Sequence, residues 1–126
     1  MESILPIGHS GATSLIVNED NTATKFGSGL VEVFATPAMI AFMEKTCLES
    51  INKFLNEKLT SVGTEVNVKH LRASPIGRIL NCESKVIEVS GKKVIFEVAV
   101  FDEEVLVGHG THTRYVVDIM KFMAKL

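Results

Sequence analysis

The chain has 126 residues, of which 46% are hydrophobic and 22% charged, with a formal net charge of −2 at pH 7. That length and balance suit one unaided hydrophobic core, so a single domain over residues 1–126 is expected and a disordered chain is excluded. Lys and Arg lie scattered among Asp and Glu, with no basic stripe for a phosphate backbone, so a nucleic-acid partner is not expected.

Cys47 and Cys82 lack the paired spacing of a zinc site or of a disulfide framework, which fits a reducing compartment. The N-terminal MESILPIGHSGATS has no basic region followed by an apolar run, and no later segment approaches the roughly 20 apolar residues of a membrane span. A cytoplasmic protein with no membrane partner is the expectation.

Taken in chain order, Gly11 to Val17 is rich in β-branched and aliphatic residues and stops at the polar cluster Asn18-Glu19-Asp20-Asn21, as a strand running into a turn does. After the glycines of Phe26-Gly-Ser-Gly-Leu30 comes Thr36-Pro37, a helix-start signature in which the hydroxyl caps orphan amides and proline takes the first helical position. From there to about Asn56, Met39, Met43, Cys47, Ile51 and Leu55 recur every four residues, and Ile40, Leu48 and Phe54 widen the stripe. This predicts one long, mostly buried helix.

Beyond Thr60 the pattern turns to strands, over Val62 to Leu71, Gly77 to Val89, Lys93 to Phe101 and Val105 to Val117, with hairpin turns at Ser90-Gly91-Lys92 and Asp102-Glu103-Glu104. No helices alternate with these strands, as a parallel sheet would need. The expected fold is α+β, a curved antiparallel sheet wrapped around one central helix, each burying the other's apolar face.

Several polar residues stand out against this pattern. Alternation in Glu65-Val-Asn-Val-Lys-His70 places His70 on the face of Val66 and Val68, either as a core histidine held by a carbonyl or as a base. Glu44 lies between Met43 and Cys47 beside the apolar stripe, where an unpaired carboxylate is costly; it either reaches solvent or finds a partner. A carboxylate and an imidazole converging in an apolar cleft form an orienter and a base, able to activate a hydroxyl or a water.

Thr36 supplies a hydroxyl, although capping the helix is its plainer role. Eight residues of helix set Thr36 and Glu44 about 12 Å apart along the axis, so either the first turn is irregular or two subunits share the site. Gly63, just before the strand of His70, is either an ordinary strand-end glycine or an amide offered to an oxyanion. Regular alternation separates His109 from His112, so a shared metal is not expected. Arg114, on the face of His112, is a candidate for holding an anionic group or for a surface salt bridge.

The stretch Val33-Phe-Ala-Thr-Pro-Ala-Met-Ile40, then Met43-Glu44, Gly63 and Val68-Lys-His-Leu-Arg-Ala-Ser-Pro75, resembles the fluoroacetyl-CoA thioesterase family of hot-dog proteins. That family's catalytic pattern is a threonine, a glutamate eight residues later and a histidine 26 beyond, and Thr36, Glu44 and His70 reproduce both intervals. The resemblance runs from Phe26 to the final strand. It implies a hot-dog fold, hydrolysis of short or medium acyl-CoA thioesters without a cofactor, catalysis by Thr36, Glu44 and His70, and Gly63 and Arg114 at substrate or coenzyme A positions. It also implies a homodimer with two interfacial sites, a tetramer being the further assembly to consider.

The family's specialised fluoroacetate-resistance member has aromatic gating residues ahead of the threonine, where this chain has Leu30 and Val33 with Phe34 nearby. A general housekeeping thioesterase is therefore expected rather than a fluoroacetyl-selective one. The rival from another class is a non-catalytic acyl-CoA-binding module, which gains nothing from an inward His and Glu. A hydratase of the same fold would need an acid and a His about five residues apart near the helix, and no such pair exists.

Overall fold

The computed structural model describes residues 5–126. Strand β1 (Ser10–Ile16) leads through a 3-10 turn (Glu19–Asn21) and a short helix α1 (Ala23–Phe26) to the long helix α2 (Thr36–Asn52). Strands β2 (Leu59–His70), β3 (Ile79–Ser90), β4 (Lys93–Asp102) and β5 (Val105–Asp118) follow, and a last turn of helix α3 (Ile119–Ala124) closes the chain. All strand pairs are antiparallel, in the order β1-β3-β4-β5-β2.

The two central strands show why the sheet needs a cover. Along β3, Leu80, Cys82, Ser84 and Val86 point inward, and along β4, Val94, Phe96, Val98 and Val100 do the same, all buried. Against them α2 lays the stripe Met39, Met43, Cys47 and Ile51, each essentially solvent-free, with Ala38, Phe42 and Thr46 alongside. The helix packs on all five strands. Burying a methionine there contributes roughly 1.5–3 kcal/mol relative to leaving it exposed. Irregularities at Gly63/Glu65 in β2 and Val86/Glu88 in β3 insert an extra residue, and such bulges increase local bend and twist.

The expected antiparallel architecture and both hairpins are present, with element ends shifted by a few residues. The helix stops at Asn52 rather than near Asn56. Phe54 and Leu55 continue the apolar rhythm because they dock on the core from tight turns, with Phe54 N–H donating to Ile51 and Leu55 N–H to Asn52. The polar cluster at Asn18 is a reciprocal cap, Asn18 and Asn21 each accepting from the other's end of the 3-10 turn.

The largest local correction concerns Thr36. It is the first residue of α2 and not its cap; Ala35, in an extended conformation, stands at the capping position and makes no side-chain cap. The segment leading in is sewn from both sides. Ala23 N–H donates to Val33, Phe34 N–H to the Ser74 carbonyl and Ala35 N–H to the Asn21 carbonyl, and Val33 forms an isolated bridge with Pro75. Gly63 is corrected too: it lies inside β2, paired with Arg114, rather than ahead of the strand.

Candidate active site

Because residues 33–35 run beside residues 74–75, the start of α2 is carried to the end of β2. There Thr36 Oγ1 and His70 Nδ1 lie 2.8 Å apart in a hydrogen bond. The Phe34 ring stands edge-on to the imidazole, with centroids 6.2 Å apart. His70 Nε2 is buried and has no hydrogen-bond partner among the described residues. Burial holds the His70 pKa below its ordinary value, and the neighbouring Arg72 backbone opposes this to a smaller degree. A neutral imidazole touching a hydroxyl is a base in contact with a proton it can take. Pro37, next to Thr36, has no amide hydrogen to compete for that hydroxyl.

The cleft over this pair is lined by Val33, Phe34, Thr36, His70, Leu71 and Arg72 and has a volume of about 290 Å³. That stands at the small end of the roughly 300–1,000 Å³ of ligand pockets.

Glu44 is not hydrogen-bonded to His70 within the chain. Its carboxylate lies beside Gly63 and 3.9 Å from the Arg114 guanidinium, with 41% of its side chain exposed. Gly63 makes this possible: a Cβ at that position would stand 2.6 Å from Glu44 Oε2 and 3.1 Å from His112 Cε1. Arg114 is buried, and its donors are turned inward. Nε donates to Ser61 Oγ at 2.7 Å, Nη2 to the Ser61 carbonyl at 2.8 Å, and Nη1 to His112 Nε2 at 3.0 Å. Burial lowers its pKa and Glu44 opposes that, yet a guanidinium stays charged.

One chain thus carries two separate polar groupings, Thr36 with His70 and Glu44 with Gly63 and Arg114. Ser61 was not singled out from sequence, and His112 was weighed only as a metal ligand and set aside; the available signal was the two-residue spacing that sets His112 and Arg114 on one face. Among the described residues no group of three or more His, Cys, Asp or Glu is placed to hold a metal ion, and no helix is long and apolar enough to cross a membrane. Both cysteines are buried free thiols, Cys47 pushed up by burial and Cys82 pushed up to about 11, which makes them poor nucleophiles.

Residues 17–120 match the sequence profile of the fluoroacetyl-CoA-specific thioesterase family. A fluoroacetyl-CoA thioesterase from Streptantibioticus cattleyicolor is 34% identical over 95 residues, which cover 75% of this chain and 68% of that protein. A fluoroacetyl-CoA thioesterase of known structure superposes with a TM-score of 0.92 at 27% identity, over 98% of this chain and 96% of that one. A hot-dog-like protein from Thermanaerovibrio acidaminovorans shares the fold, with a TM-score of 0.87 at 24% identity over 95% and 89% of the two chains. The chain belongs to the fluoroacetyl-CoA-specific thioesterase family, as an acyl-CoA thioesterase of the hot-dog fold.

Proposed function

We propose that the enzyme hydrolyses short or medium acyl-CoA thioesters to the free acid and coenzyme A, with Thr36, Glu44 and His70 as its catalytic residues. The observation that carries this reading is the 2.8 Å contact between Thr36 Oγ1 and the neutral His70 imidazole. His70 Nδ1 takes the proton of the attacking hydroxyl, from Thr36 or from a water held by it, and returns it to the departing coenzyme A thiolate. If Thr36 attacks, the acyl group passes to its oxygen and water then hydrolyses the ester with His70 again as base. The Gly63 amide is our candidate for stabilising the oxyanion.

Glu44 enters through a second subunit in this reading. β2 is an edge strand, and Gly63 to Asn67 is exposed along five consecutive residues. An edge of that length is a template for another strand. Antiparallel pairing of β2 with its copy, centred between Val66 and Asn67, lays Gly63 of one subunit opposite His70 of the other. Each of two equivalent sites then draws Thr36 and His70 from one chain and Glu44 with Gly63 from the other, which also accounts for the shallow cleft of the single chain. Arg114 serves in this arrangement by holding Glu44 at the substrate wall.

Leu30 is 97% exposed on the loop ahead of α2, where an aromatic gate is absent, which supports a general thioesterase over a fluoroacetyl-selective one. The buried free thiols fit a cytoplasmic setting. The test is release of free coenzyme A from acyl-CoA chains of increasing length, comparing wild type with His70→Ala. Hydrolysis that collapses in a folded variant supports the reading; binding of acyl-CoA with no cleavage by wild type overturns it.

A further inference from the structure

Behind Glu44 stands a group that the reaction does not use directly. His112, on β5, is 1% exposed, and its ring is fixed on three sides. Its Nδ1 lies 2.8 Å from the Glu65 carbonyl, its Nε2 lies 3.0 Å from Arg114 Nη1, and its face stacks on Phe96 with centroids 6.3 Å apart. A guanidinium only donates, so Nε2 must be the acceptor and the ring proton sits on Nδ1, donating to Glu65. The same guanidinium is clamped by both Ser61 oxygens and faces the Glu44 carboxylate at 3.9 Å.

We propose that His112 is a positioning residue, which through Arg114 holds the Glu44 carboxylate over Gly63. The inference rests on the catalytic role of Glu44 proposed above. Its physical basis is donor geometry. Ser61 holds the Nε and Nη2 side of the guanidinium and His112 holds Nη1, the nitrogen nearest Glu44 Oε2 at 3.9 Å, so the three contacts together fix the plane. Without the acceptor, Nη1 is a buried donor with nothing to receive it, and that end of the guanidinium is released to tilt within its Ser61 clamp, away from Glu44. The bulge at Gly63/Glu65 completes the device, since it aims the Glu65 carbonyl at Nδ1 while Gly63 leaves room for the carboxylate.

The test combines steady-state kinetics with thermal melts on four variants. His112→Leu removes the acceptor while keeping apolar bulk, and is expected to lower kcat about ten- to a hundredfold with KM nearly unchanged. His112→Gln, which offers one acceptor and one donor, is expected to recover most of that kcat. In the Glu44→Gln background the His112→Leu change is expected to lower kcat no further, because both act through one carboxylate. Should the leucine variant not fold, His112→Asn takes its place, its shorter amide withdrawing the acceptor from Arg114.

A folded His112→Leu or His112→Asn variant with wild-type kcat overturns the proposal. So does a kcat loss that multiplies with that of Glu44→Gln, which leaves the catalytic reading of Glu44 standing. A Glu44→Gln enzyme with wild-type kcat overturns that reading and this inference together.

Discussion

Thr36 and His70, 34 positions apart in the chain, are joined by a 2.8 Å hydrogen bond between Oγ1 and Nδ1. The hydroxyl is free for it because Ala35 occupies the capping position of the helix. Replacing His70 with Ala is expected to lower kcat by about 10²–10⁴, the usual worth of a general base, with a near-native melting temperature. Thr36→Ser is expected to keep most activity and Thr36→Ala to separate the two routes. Rapid mixing with acyl-CoA followed by intact-protein mass spectrometry reads them: an acyl adduct on wild type that Thr36→Ala lacks marks Thr36 as the nucleophile, whereas high activity in Thr36→Ala marks water.

Gly63 and Glu44 give a second prediction. An added Cβ would stand 2.6 Å from Glu44 Oε2, the far end of a flexible and part-exposed side chain, and 3.1 Å from Cε1 of the buried His112, so the carboxylate moves while the imidazole and strand give by only a few tenths of an ångström. Gly63→Ala is therefore expected to melt within a few degrees of wild type while kcat falls about tenfold or more, since a displacement of about 1 Å in a catalytic group is expensive. A variant that loses stability and activity in parallel would show Gly63 to be structural only.

The division of the site between subunits is checked by complementation. Glu44→Gln and His70→Ala homodimers are each expected to be nearly inactive. After subunit exchange, half of the dimers are mixed and each of these carries one intact site of two, so activity is expected to rise to about one quarter of wild type. Mixtures that stay inactive, alongside native mass spectrometry showing mixed dimers, would place Glu44 and His70 in the same chain's site.

Acidity acts on two histidines at once. His70 and His112 both titrate below the ordinary 6.5, burial being the main cause, with Arg114 adding to it at His112 while the Glu65 backbone and Glu44 oppose it. His70 works as a base only when neutral, so kcat is expected to stay level from neutral pH to below 6.5 and to fall once His70 protonates. Stability follows the same sign. Below 6.5 the unfolded chain takes up protons that the folded one refuses, so stability is full above that value and declines as pH drops through the folded pKa values. Thermal melts across this range are expected to show the decline, and His112→Gln to make it shallower.

Much of the fold was legible in local pattern. The four-residue recurrence from Met39 to Ile51 marked the buried helix, alternation marked the strands, and the turns at Gly91 and Glu103, both with positive φ, were visible as Ser-Gly-Lys and Asp-Glu-Glu. These are features of period and backbone propensity, which neighbouring residues settle among themselves. The intervals linking Thr36, Glu44 and His70 likewise pointed to the family before any contact was known.

The partners of those residues were decided by tertiary structure. Local pattern made Thr36 a cap and left Glu44 either reaching solvent or finding a partner. The ties from Asn21 and Ser74 start the helix at Thr36 and release its hydroxyl to His70, while β2–β5 register and the bulge at Gly63/Glu65 bring Glu44 to Arg114 and His112. Such pairings join segments tens of residues apart, and a one-residue shift in register sends a side chain to the opposite face of the sheet. Periodicity carries the faces of each element, but register and bulges, which depend on how the whole sheet closes over the helix, select the atoms that meet.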